Sequence, residues 1–183
     1  MRNSMKCLTF SESEAWLAPI GVTIDGNRNL LPDGPISSVM TTMPKSALPL
    51  SRLAQRIVYW VPHDIELLLW VSNWETEPYE PLVVFETLRR ACGEFRPMIE
   101  APGHSFTQPN QGEIAVLGGL MFLVMAYSWE AYLVARKNRE FVFLGDEHIV
   151  FCSSDSDRMQ EVAEFREAFR LKKIKCITEA WTQ

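Results

Sequence analysis

The chain has 183 residues, 47% hydrophobic and 22% charged, a balance that suits one globular domain with a self-sufficient core and excludes a disordered or fibrous protein. A formal net charge of -5 and a pI of about 5.3 argue against a general phosphate-binding surface, so nucleic acid is not an expected partner. Cys7, Cys92, Cys152 and Cys176 are scattered without C-x-x-C spacing, which signals neither a zinc site nor a redox motif and predicts reduced thiols with no disulfide.

The start, "MRNSMKCLTFSESEAWL", lacks the apolar stretch of a secretory signal, and the expected compartment is the cytoplasm. From residue 1 to about 50 the pattern is irregular. "DGNRN" and "LPDGP" are turn chemistry, and Pro19, Pro32, Pro35, Pro44 and Pro49 break any long element. An N-terminal arm is predicted, with a short helix at "SESEAWL", where Ser11 stands three residues before Glu14 as in a capping box, and one short strand at "GVTI".

In "LSRLAQRIVYWV", Leu53, Ile57 and Trp60 fall at helical spacing, with Ser51 as cap and an end before Pro62. The unbroken apolar run Leu67 to Val71, between "PHD" and "ETEP", suits a central strand covered on both faces. Leu82, Phe85, Leu88 and Cys92 then mark a helix that Gly93 stops.

"EAPGHSF" reads as a loop. Pro102 and Gly103 favour a type II turn in which Gly supplies the positive φ, and His104 would hold the loop as a structural lid on the next helix. That helix opens at "NQGE" in a capping arrangement and carries the apolar run Ile114 to Tyr127. At 14 residues the run falls short of the roughly 20 that a bilayer crossing needs, so a core helix is expected, with Gly118 and Gly119 packed closely on the sheet.

"EAYLVAR", "EFVFLG" and "IVFCS" are dense in β-branched and aromatic residues and predict an antiparallel meander. Met159, Val162, Phe165 and Phe169 give the last helix an apolar face, and Arg170, Lys172, Lys173 and Lys175 read as its solvated end. The expected fold is α+β. Residues 1–50 form the arm, and residues 51–183 form a single α+β domain with a mostly antiparallel sheet of about four strands and packed helices.

His63, His104 and His148 are the only histidines. No G-x-S-x-G elbow, Walker A loop, dinucleotide glycine pattern or Ser-His-Asp order is present, so no catalytic residue, metal ligand or cofactor is predicted. Asp146, Glu147 and His148 read either as a carboxylate and imidazole pair able to hold a metal or, preferentially, as a solvent-facing hairpin turn. Trp74, Glu75, Glu77, Tyr79 and Glu80, together with Asp146 and Glu147, combine aromatics with carboxylates as an interface to a basic protein would. An ordinary loop with one anchoring Trp is the competing reading of Trp74.

"LLLWVSNWE", a helix with "LRRACGE", then "EAPGHSF", then "WEAYLV" leading to "GDEHIVF" resemble, over residues 60 to 152, a group of small bacterial proteins similar to the cytosolic immunity proteins that neutralise toxins. The resemblance implies an immunity or inhibitor protein covering the basic face of a toxin. "GDEH" stands where "SHDE" is usual, which removes the His-before-Asp arrangement and with it the basis for a shared metal or catalytic role of the hairpin. A small-ligand or metal-dependent enzyme with a site between "EAPGHSF" and "GDEH" is the alternative, and a subunit of a larger assembly the third reading.

Overall fold

The computed structural model describes residues 5–62, 66–74, 79–107, 109–136 and 140–174. His63, Glu75, Glu77, Lys175 and Cys176, which figured in the sequence reading, lie outside the described residues.

The fold is α+β, built on one seven-stranded antiparallel sheet. Its strands are β1 (Lys6–Leu8), β4 (Ser37–Thr42), β5 (Glu66–Asn73), β6 (Gly103–Thr107), β7 (Glu130–Ala135), β8 (Glu140–Leu144) and β9 (His148–Ser153), while β2 (Val22–Ile24) and β3 (Leu30–Pro32) pair separately. The order across the sheet is β1-β6-β5-β7-β8-β9-β4. Among the described residues the α-helices are α1 (Phe10–Leu17), α2 (Ala47–Trp60), α3 (Tyr79–Ala91), α4 (Gln111–Ala126) and α5 (Ser156–Phe169).

The strands predicted near 65–71, 130–136, 140–144 and 148–152 are present as β5, β7, β8 and β9, but the expectation of about four strands is too small. The three missed strands are short or rich in Gly, Ser and Thr: "KCL", "SSVMTT" and "GHSFT". They lack the apolar density that marks a central strand.

The expected irregular arm over residues 1–50 is also corrected. It supplies both edges of the sheet, β1 and β4. Its prolines fall where a missing N–H costs little: Pro19 in a single 3₁₀ turn, Pro32 at the end of β3, and Pro49 in the first turn of α2. The capping box of α1 is Thr9 with Glu12, two residues ahead of the predicted Ser11 and Glu14. Likewise α2 starts at Ala47, before the predicted Ser51 cap. The α4 cap is as expected, with Asn110 accepting from the Gly112 and Glu113 amides and Glu113 accepting from that of Asn110.

Alternation along the central strands sends Leu67, Leu69 and Val71 to one face with Leu133, Val142 and Phe151, where α2 to α5 cover them. Leu68, Trp70, Tyr132, Val134 and Phe141 go to the other, where Trp16, Leu17, Val22 and Leu30 of the N-terminal residues cover them. The indole of Trp70 donates to the Arg28 carbonyl at 2.9 Å and the Tyr132 hydroxyl to Asn29 at 3.3 Å, tying the β2–β3 turn to the sheet.

α4 is a core helix, and among the described residues no helix is long and apolar enough to cross a membrane. Its Gly118 faces Gln55 of α2, where an added Cβ would sit 3.6 Å from the Gln55 side chain, and Gly119 faces open space. Close packing of both on the sheet is therefore not what their small size serves. Residues beyond α5 are more than a solvated helix end: Thr41 pairs with Lys173, and the Ile174 amide donates to Met40 along the outer edge of β4.

Candidate functional site

The expected loop 100–106 is largely a strand. Gly103, His104 and Ser105 pair with Trp70, Leu69 and Leu68 of β5 on one side and with β1 on the other. Gly103 does not have the positive φ of a type II turn. It has no side chain because α1 crosses there, and a Cβ would meet the Ser13 hydroxyl at 2.4 Å and the Leu8 Cβ at 3.2 Å.

His104 is wholly buried, with its Nδ1 3.3 Å from the Leu69 carbonyl, so Nδ1–H donates and Nε2 carries the lone pair. Burial, and then the charge of Arg89, hold its pKa down at about 3, so the ring is neutral at pH 7. Cys7 lies opposite it in the register, and burial pushes that thiol up against the pull of Arg89. A neutral imidazole beside an un-ionised thiol is the reverse of an activated nucleophile pair. Ser105 points to the other face, where its hydroxyl donates to the Lys6 carbonyl at 3.3 Å. Pro102, Gly103 and His104 thus belong to the packing of α1 and α3 on the sheet.

The strands carrying His104 and His148 are four positions apart in the sheet, roughly 19 Å at ordinary strand spacing, so they do not form one site. Asp146 and Glu147 are exposed in the tight β8–β9 turn, which the Gly145 amide closes on the His148 carbonyl at 2.9 Å. Among the described residues no group of three or more His, Cys, Asp or Glu is arranged to hold a metal.

The register puts the end of β5, the start of β7 and the β8–β9 turn at one end of the sheet, since Asn73 pairs with Glu130 and Ala131 with Leu144. Trp74, Glu130, Asp146 and Glu147 share that end. Trp74 is half-buried against the helix-side core, and Arg28 sits 5.3 Å over its ring. Glu147 pairs with Lys45 at 3.2 Å with both side chains largely solvated, a contact of little energy. Tyr79 and Glu80 are exposed in the first turn of α3.

A surface the sequence reading did not select lies along α3 and the segment after it. The inner side of α3 is closed. Phe85 packs 5.3 Å from His104 and 5.6 Å from Trp129, and the buried Arg89 donates to Glu86 and to the Ala101 carbonyl, both at 2.9 Å. The outer side presents Tyr79 (67% exposed), Val83 (53%) and Val84 (48%), and the following segment adds Phe95 (79%) and Ile99 (67%).

Phe95 is held outward by its neighbours. Glu94 and Arg96 form a two-pronged ion pair at 2.9 and 2.7 Å, and Arg96 also donates to the Cys7 carbonyl at 3.0 Å. The Arg96 guanidinium keeps the Glu94 carboxyl down at about 2, ionised throughout the neutral range. Met98 turns inward, and its amide donates to Glu86 at 2.8 Å. Tyr79, Leu82 and Val83 of α3 with Phe95 and Pro97 of the following segment line a depression of about 320 Å³, to which Glu86, Thr87 and Arg90 also contribute.

Two signals in the sequence pointed here. Val83 and Val84 fall off the Leu82, Phe85, Leu88 stripe, and "GEFRPMIE" sets Phe95 and Ile99 among charges. The whole is an α+β protein with a closed polar lock on one side of α3 and an exposed aromatic and aliphatic surface on the other. Compared with known proteins, the chain matches no family model, no curated protein and no solved structure.

Proposed function

We propose that the chain is a protein-binding module, a cytosolic inhibitor of the immunity type, that seats its partner on the outer side of α3 and the 94–99 segment. The observation that carries this reading is Phe95, a large apolar side chain 79% exposed on a segment pinned by the Glu94–Arg96 pair and by hydrogen bonds to β1 and α3. Isolated exposed apolar residues need no explanation, but three of these, Tyr79, Val83 and Phe95, line one depression with Leu82 and Pro97, a grouping of the kind that marks an interaction surface. Rigid anchors reduce the ordering cost of association, which raises affinity for a given contact area.

The acidic balance and the carboxylates Glu80, Asp146 and Glu147 support a basic partner, with steering of its approach rather than most of the affinity assigned to them. A photo-crosslinking residue at position 95, expressed in cells of the source organism, tests the surface. One protein should be trapped there and not from a control position such as Arg52 on α2, and that protein, when purified, should bind the unmodified chain. If the partner is a toxin, co-expression should restore growth. Trapping of the chain by itself, with a dimer in sedimentation, would replace the inhibitor reading by self-association.

A further inference from the structure

Charge is laid out in a fixed order along the outer side of α3. Glu80, Val83, Thr87 and Arg90 stand at i, i+3, i+7 and i+10, which places them on one face. Glu80 is exposed in the first turn and Arg90 in the last, about 15 Å apart at 1.5 Å per residue. Neither has an ion-pair partner among the described residues. The other charges beside the depression are spent internally. Glu86 accepts from the buried Arg89 at 2.9 Å and from the Met98 amide at 2.8 Å, and Glu94 is paired with Arg96 at 2.7 Å. One anion and one cation are left for a partner, at opposite ends of a face with Val83 between them.

Main-chain donors at this surface are spent as well. The amides of Glu94, Arg96 and Met98 donate to Arg89, Glu94 and Glu86, and Pro97 has no N–H. A strand pairs with alternate residues of its neighbour, so one register would meet the spent amides at 94, 96 and 98 and the other would meet Pro97 in its middle. An extended segment buried here would leave its carbonyls without donors, whereas an α-helix brings its own ladder. The charges then set the direction. A helix favours acidic side chains in its first turn and basic ones in its last. Antiparallel to α3, such a helix sets its acidic start on Arg90 and its basic end on Glu80, while a parallel helix would set like charges together.

We propose that the partner docks an amphipathic α-helix antiparallel to α3, with a large apolar side chain in the depression lined by Val83 and Phe95, an acidic residue of its first turn on Arg90 and a basic residue of its last turn on Glu80. This rests on the reading of the outer side of α3 as a protein-binding face.

The test titrates the full chain, ¹⁵N-labelled and at low salt, with a synthetic peptide of about 18 residues, long enough to be helical in water. The peptide carries leucines and one phenylalanine on one face, glutamates in its first turn and lysines in its last. Amides of α3 and of residues 94–99 should shift and approach saturation by about 1 mM. A peptide with the two charged turns exchanged should bind about tenfold more weakly. The double variant Glu80→Lys, Arg90→Glu should move that ratio about tenfold or more towards the exchanged peptide, which separates pairing with the chain from the peptide's own helicity. The proposal fails if α3 does not respond at about 1 mM, if the double variant leaves the ratio unchanged, or if a peptide with the same charges and prolines in its middle binds as well. Any of these results together with a protein trapped at position 95 would overturn the helix and keep the surface, whereas no trapped protein would remove the surface itself.

Discussion

The two sides of α3 differ in a way that separates holding the fold from meeting a partner. The inner side buries Phe85 and a fully enclosed guanidinium, Arg89, and spends its hydrogen bonds on Glu86 and Ala101. The outer side carries Tyr79, Val83 and Val84, exposed, with Phe95 and Ile99 set beside them by the segment that the inner side anchors. One helix thus converts internal order into an external surface. Substitutions on the two sides should therefore fall into two classes, one moving stability and the other moving binding.

The largest loss of stability is expected from Arg89→Ala, which leaves the Ala101 carbonyl unpaired and Glu86 without its cation, at about 3–5 kcal/mol by chemical denaturation. A loss under 1 kcal/mol would mean that Arg89 does not hold the segment bearing Phe95. Gly103→Ala comes next. Its methyl group must displace the Ser13 hydroxyl, which donates to Thr9, and press on Leu8, so a cost of about 1–3 kcal/mol is expected in the same measurement.

His104 gives an effect that is absent at neutral pH and grows as the solution is acidified. Its pKa falls from 6.5 in the unfolded chain to about 3 in the folded one, because burial first and Arg89 second disfavour the charged ring. Between those values the unfolded chain binds a proton that the folded chain refuses, so stability drops as pH falls from 6.5 towards 3, by at most about 1.4 kcal/mol per pH unit. Subtracting the His104→Gln profile from the parent should isolate that slope, and identical slopes would contradict the burial of a neutral ring. Smallest of all is Gly119→Ala on α4, where an added methyl group meets nothing, and a gain of about 0.5–1 kcal/mol is expected.

The helix-covered side of the sheet was legible in the sequence because its elements are long and periodic. The unbroken run Leu67 to Val71 announced β5, and Val162 and Phe165 announced α5. The other side was not legible. Its covering residues come in pieces of three to eight, each too short for a periodic signal, and they are ordered by contacts distant in sequence such as Trp70 with Arg28. His104 was read as structural, yet in a loop, because Pro-Gly chemistry is the same whether it makes a turn or makes room for a crossing helix. Phe95 went unnoticed for a related reason. The charges around it in "GEFRPMIE" are a signal, but a weak one, because an apolar residue between Glu94 and Arg96 can face either way until their ion pair is seen to hold the backbone.

The measurement that bears most directly on the division between the two sides of α3 is a paired titration of Phe95→Asp, with calorimetry for affinity towards the protein trapped at position 95 and denaturation for stability. Stability should stay within about 0.5 kcal/mol of the parent, as for a surface position free of buried contacts. Affinity should fall by at least about thirtyfold, the cost of a 2 kcal/mol anchor. Unchanged affinity for the trapped protein, or a loss of affinity that follows only from unfolding, would contradict the assignment of this surface to partner binding.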